Sequence, residues 1–126
     1  MAVPSPRPLN EARVFAQTTS IATTPVAAAA IAPCAGYIHR VFAGAGGTTT
    51  GTITVAVAVN GGSDICASGL TIAAGAGTLN SAPYVVAQTG ANAVYVSEGD
   101  YITFTASGGT GSSIPGAFSL VIRSLV

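Results

Sequence analysis

Lysine and tryptophan are absent from this 126-residue chain, and charge of either sign is scarce. Four arginines (Arg7, Arg13, Arg40, Arg123) face four acids (Glu11, Asp64, Glu98, Asp100), and the net charge is zero. Without lysine there is neither a P-loop nor Schiff-base chemistry. Four scattered arginines do not make the basic stripe that phosphate backbones require, so nucleic acid is not an expected partner. A disordered tail is excluded as well, because disorder goes with high charge and low hydrophobicity, whereas 49% of these residues are hydrophobic. Long apolar runs are also missing. The best, Val26 to Ile38, is broken by Pro33 and Gly36 and falls short of the ~18 residues of a membrane helix. No membrane partner is expected. A secretory signal would need an apolar stretch between Arg13 and Ala30, and Gln17, Thr18, Thr19, Ser20, Thr23, Thr24 and Pro25 interrupt it.

Histidine occurs once, at position 39, and cysteine twice, at 34 and 66. The cysteines lack CxxC spacing and a histidine at metal-ligand distance; they read as free, small apolar residues, with one disulfide as the alternative in an exported protein. A Ser-His-Asp site would have to use His39 with Asp64 or Asp100, yet no G-x-S-x-G elbow presents a nucleophile. His39 reads instead as a half-exposed strand residue beside Arg40. Glu98 and Asp100 could serve as calcium ligands or a glycosidase pair, but six to eight oxygens or an aromatic sugar platform would be needed. The plainer reading is a turn in which Gly99 takes an unusual φ and Asp100 binds local backbone N–H groups. No catalytic residue, metal or cofactor is expected, and the chain is not read as an enzyme.

What is present is β-periodicity. Ile53, Val55, Val57 and Val59 alternate with Thr54, Ala56 and Ala58. Ile102 and Phe104 alternate likewise within Tyr101–Thr105, as do Phe118, Leu120 and Ile122 against Ser119, Val121 and Arg123. Further strands are expected at Val14–Thr18, Val26–Ala32, Gly36–Ala43, Leu70–Ala73, Tyr84–Gln88 and Ala93–Val96. The alanine-rich segment is bracketed by Pro25 and Pro33 and is too short for a helix. Glycine-rich connections at 44–51, 75–77 and 108–113 punctuate the strands, as in an all-β sandwich or barrel. Residues 14–126 form one domain. Residues 1–13, with Pro4, Pro6 and Pro8, read as an extended N-terminal arm, either a loose tail or a strap onto a neighbour. A surface with so little charge is either covered in Thr, Ser and Gly or covered by other subunits; the second is the expectation.

The run Ala32-Pro33-Cys34-Ala35-Gly36-Tyr37-Ile38-His39-Arg40-Val41-Phe42, then a Thr/Gly loop, Val59-Asn60-Gly61 and Val96-Ser97-Glu98-Gly99-Asp100-Tyr101-Ile102, resembles small tailed-phage head proteins of the decoration or cement type. The resemblance spans about residues 26 to 123. It implies a jelly-roll-like antiparallel β-sandwich that assembles as a homotrimer and clamps neighbouring major capsid subunits on the virion surface, after synthesis in the bacterial host cytoplasm. The alternative is a fibre-tip or receptor- or glycan-binding β-sandwich. Interface residues expected for the capsid reading are Arg7, Pro8, Leu9, Glu11, Arg13 and Val14 in and beside the arm, with Arg40 and Arg123 at a polar rim.

Overall fold

Strict alternation over Ile53–Val59 demands a strand with one dry face, and the rest of the chain follows the same rule. The computed structural model describes residues 11–74, 84–87, 90–110 and 113–124, all of them strand, turn or loop. The strands are β1 (Glu11–Thr18), β2 (Ala28–Ile31), β3 (Gly36–Ala45), β4 (Ile53–Val59), β5 (Thr71–Ile72), β6 (Tyr84–Val85), β7 (Tyr95–Val96), β8 (Tyr101–Ser107) and β9 (Gly116–Ser124). One sheet, A, runs β1-β9-β3-β6, with β7 also on β3. The other, B, runs β2-β8-β4-β5, and all pairs are antiparallel.

β6 and β7 pair with β3 at Arg40–Val41 and Gly36–Tyr37, so together they fill the place of one interrupted strand. Taken as one, the pairing is first with last, second with second-last, third with third-last, and fourth with fifth. This is a long hairpin rolled on itself so that its successive rungs alternate between two facing sheets, the jelly-roll arrangement. The all-β antiparallel sandwich read from periodicity is the observed fold.

The core lies between the sheets. Val55, Val57, Ile102 and Phe104 point inward from sheet B, and Ile38, Val41, Phe118, Leu120 and Ile122 from sheet A; all are buried. Phe104 and Phe118 bind the layers together, their rings stacked at 5.1 Å and 6°. At the β1–β2 corner, the buried Thr18 hydroxyl donates to the Val26 carbonyl and the Ser20 hydroxyl donates to Thr23. Such bonds let polar groups go under without loss. Val26 N–H bonds Ser20 O there, which is why β2 starts at Ala28 rather than at the expected Val26.

Two further differences from the sequence reading bear on the ends of sheet A. β1 begins at Glu11, so the expected limit between arm and domain at residue 13 falls inside a strand. The reason is the ladder itself: Glu11 and Arg13 lie in register with Arg123 and Val121 of β9. β3 extends through Ala45, which shortens the glycine-rich loop expected from residue 44. Arg7, Pro8 and Leu9, and the expected connection at 75–77, lie outside the described residues.

Gly36 shows how tightly β3 and β9 pack. A Cβ there would overlap the Arg123 carbonyl oxygen, backbone that cannot swing away. Gly36→Ala is expected to cost about 1–3 kcal/mol in urea unfolding, as overpacking does. Gly47→Ala, whose Cβ would meet only Ile114 at 3.5 Å, should stay within roughly 0.5 kcal/mol of wild type.

Candidate functional site

The outward-facing residues of sheet A line up in cross-strand rows. Glu11, Arg123, Tyr37 and Tyr95 form the first, and Arg13, Val121, Arg40 and Val85 the second. Phe15, Ser119 and Phe42 form the third, then Gln17, Ala117 and Gly44. Three of the four arginines and the sole histidine thus gather at one end of one face, although they lie up to a chain length apart in sequence. The other half of the face is apolar or small apart from Gln17, and Phe15 is 69% exposed.

A β-bulge shapes the charged end. Ile38 pairs with Ile122 and Arg40 with Val121, which leaves His39 as the extra residue of β3. A bulge re-aims its side chain, and His39 reaches Arg123 and the rim of a depression of about 210 Å³ that Glu11, Arg13 and Arg40 also line. Arg123 bridges two partners. Its Nε lies 3.3 Å from Glu11 Oε2, and its Nη2 donates to His39 Nε2 at 3.1 Å. A guanidinium only donates, so the ring accepts at Nε2 and carries its proton on Nδ1. That Nδ1 is buried and meets no acceptor among the described residues. Burial, then the charges of Arg123 and Arg40, lower the His39 pKa from its ordinary value, against a smaller upward pull from Glu11. The ring is neutral at pH 7.

Arg13 and Arg40 flank Val121, which is only 3% exposed although it faces outward; the aliphatic stems beside it provide cover. Among the described residues neither arginine has an ion-pair or hydrogen-bond partner. Glu11, Arg13, Arg40 and Arg123, expected as interface residues, are therefore brought onto one surface. Val14 is not among them: it alternates to the other side of β1 and is 5% exposed in the core. Tyr37 and Tyr95, which the sequence offers as aromatics for the glycan-binding alternative, lie on the same face, and Phe15 and Phe42, which the sequence reading missed, extend it. The signal for part of it was present, since Glu11, Arg13, Phe15 and Gln17 share one period-2 face. Two polar residues between Ile38 and Val41 likewise mark a bulge.

The carboxylates proposed as partners for His39 are occupied elsewhere. Asp64 accepts from Val57, Cys66 and Ser68 N–H at 2.9–3.0 Å. Burial would push its pKa up, but those three donors outweigh it and hold it below the ordinary value. Cys66, in the same turn, is buried and free, its thiol pushed up to about 12 by burial and by Asp64. Cys34 is half-buried and also free. Asp100 accepts from Ser97 N–H at 2.8 Å, with Gly99 at φ 92°, the turn that the sequence pointed to. The Ser97 N–H and the Asn60 side chain hold its pKa low. Among the described residues no three of His, Cys, Asp and Glu converge on a point where a metal ion could sit. What the site offers chemically is recognition: fixed donors beside exposed apolar rings.

No protein-family model, curated protein or solved structure matches the chain.

Two measurements check this electrostatic account. In an NMR pH titration, the His39 ring protons should turn over below the ordinary histidine midpoint, and Arg123→Gln, which removes one repelling charge, should move the midpoint upward. Because the folded pKa is lowered, the unfolded chain binds the extra proton, so His39 costs stability as pH falls below about 6.5. Asp64→Ala strands three N–H donors and should cost about 1–3 kcal/mol at pH 7. Its folded pKa is also lowered, so the Asp64 contribution is complete above the ordinary carboxylate value. It fades as pH drops from about 4 through the folded value. Thermal melts across that window should show a steeper decline for wild type than for the variant.

Proposed function

We propose that this chain is a structural virion protein, a decoration or cement module on the outer surface of a phage head. It would clamp neighbouring major capsid subunits and associate with itself as a homotrimer. The observation that carries this reading is the distribution of side chains over the two outer faces. Sheet A presents exposed Phe15, Val85 and Tyr95 around exposed Arg13 and Arg40, whose guanidinium groups have no protein partner among the described residues. Sheet B presents Ala29, Thr103, Ala58, Ala56, Thr105 and Thr54, without a charge among them. Surfaces of this kind suit burial against other protein, with arginines as anchors or rim, rather than prolonged solvation. The jelly-roll topology is the fold that the resemblance implies. Binding strength on this reading comes from apolar area spread over several contacts, and the arginines set orientation.

A second reading, a fibre-tip or glycan-binding module, draws on one feature. Tyr37 and Tyr95 meet edge to face at 5.4 Å, with Tyr95 48% exposed, an aromatic surface on which a sugar ring could stack.

Immunogold labelling of intact particles, purified from the culture that produces the protein, separates the two. Label distributed over head exteriors is the expected result. Label confined to tail tips would transfer the assignment to the second reading, and unlabelled particles would overturn both. Light scattering after size exclusion should return a trimer mass that persists on dilution.

A further inference from the structure

The chain is neutral as a whole, yet its charges are segregated. The outer face of sheet A carries three arginines and one glutamate, and Asp64, Glu98 and Asp100 lie on the β4–β5 and β7–β8 connections. Asp64 and Asp100 spend their oxygens on their own turns. Glu98 does not. It is exposed, has no ion-pair or hydrogen-bond partner among the described residues, and stands on a turn locked from several sides. Gly99 N–H bonds Ala32 O, Ala32 N–H bonds Asp100 O, and Tyr101 N–H bonds Asn60 Oδ1. With the turn backbone already fixed, docking has only the Glu98 side chain left to order.

We propose that the β7–β8 turn of one copy docks on the outer face of sheet A of the next, with the Glu98 carboxylate between Arg13 and Arg40. This deepens the self-association proposed above and rests on that reading. The two arginines sit in one row with Val121 between them, so their Cα atoms are about 10 Å apart, two strand spacings. A carboxylate that enters between them can accept from both guanidinium groups. The apolar surroundings match too. Beside Glu98, Ile31 and Tyr101 are direct cross-strand partners, 54% and 49% exposed. Beside the arginines, Phe15 and Val85 are 69% and 58% exposed. Charge meets opposite charge and apolar flank meets apolar flank. Because donor turn and receiving face are different surfaces, the contact is head-to-tail. Such contacts close into a ring when the rotation permits, which is the route to a trimer rather than a two-fold dimer.

The test is charge reversal in the full chain, read by light scattering and sedimentation over a range of concentrations. Reversing both arginines (Arg13→Glu with Arg40→Glu), and Glu98→Arg alone, each place like charges together and should raise the concentration at which the oligomer dissociates by about tenfold or more. Combining the two reversals restores opposite charges with the direction swapped and should return to within roughly threefold of wild type. Urea midpoints read on dissociated protein, where assembly adds nothing to stability, should stay close to wild type in all three, since none of these side chains has an ion-pair or hydrogen-bond partner among the described residues of its own copy. An oligomer indifferent to both reversals would overturn this docking mode and leave self-association standing. A combined variant as weak as either reversal alone would also overturn it. Wild-type protein that is monomeric throughout would instead remove the self-association reading, and this inference with it.

Discussion

Strand β9 is the constraint on which the molecule depends. It pairs along its length with β1 on one side and β3 on the other, so it joins the first described residues to the last. Its inward side chains, Phe118, Leu120 and Ile122, fill the middle of the core, and Phe118 stacks on Phe104 of the opposite sheet. Its outward side chains, Ala117, Ser119, Val121 and Arg123, form the centre line of the candidate face. The same alternation therefore fills the core on one side and builds the candidate face on the other, and a register slip of one residue would exchange the two. The bulge at His39 is the one place where β3 departs from that register, and it lies beside Arg123.

A chain with eight charges has to place each one where it acts. Asp64 closes a loop by gathering three backbone N–H groups, and Asp100 closes a turn. Glu11 and Arg123 meet across β1 and β9, an exposed pair worth little in energy that still orients the guanidinium toward His39. Arg7 lies outside the described residues; among those described, the charges without an ion-pair or hydrogen-bond partner are Arg13, Arg40 and Glu98. The rest of the described surface is mostly small or uncharged, with a few large exposed side chains such as Phe15, Ile31, Val85, Tyr95 and Tyr101, so fixed charge rests on those three groups. Uncharged sheet faces associate readily, and sparse fixed charges decide in which orientation they do so.

Much of the fold was legible because alternation is a local property. Ile53–Val59 was read with its observed limits, and the inward residues of β8 and β9 were read correctly. The short strands were less so: β5, β6 and β7 are two residues each, since beyond Thr54 the open side of β4 is met by Leu70, Ile65 and the Asp64 side chain rather than by a strand, and β6 and β7 pair with β3 on either side of the His39 bulge. That β1 starts at Glu11 was not legible because three prolines and three charges dominate the first 13 residues, while the partner that makes Glu11 a strand residue lies 112 positions away. Val14 was assigned to an interface through its proximity to Arg13, where period-2 geometry sends the two to opposite sides of the sheet.

By itself the sequence determined the class of structure. Its periodicity admits only strands, its glycines and prolines mark the turns, and its lack of charge leaves surfaces suited to contact. Which strands pair was decided by tertiary structure. Only the rolled hairpin sets Arg123 between Glu11 and His39, Val121 between Arg13 and Arg40, and Phe104 on Phe118. The physical reason is that alternation fixes which side of a strand is dry, whereas register and neighbour depend on how two whole sheets close over a shared core. A site built from residues on three strands exists only once that closure has happened.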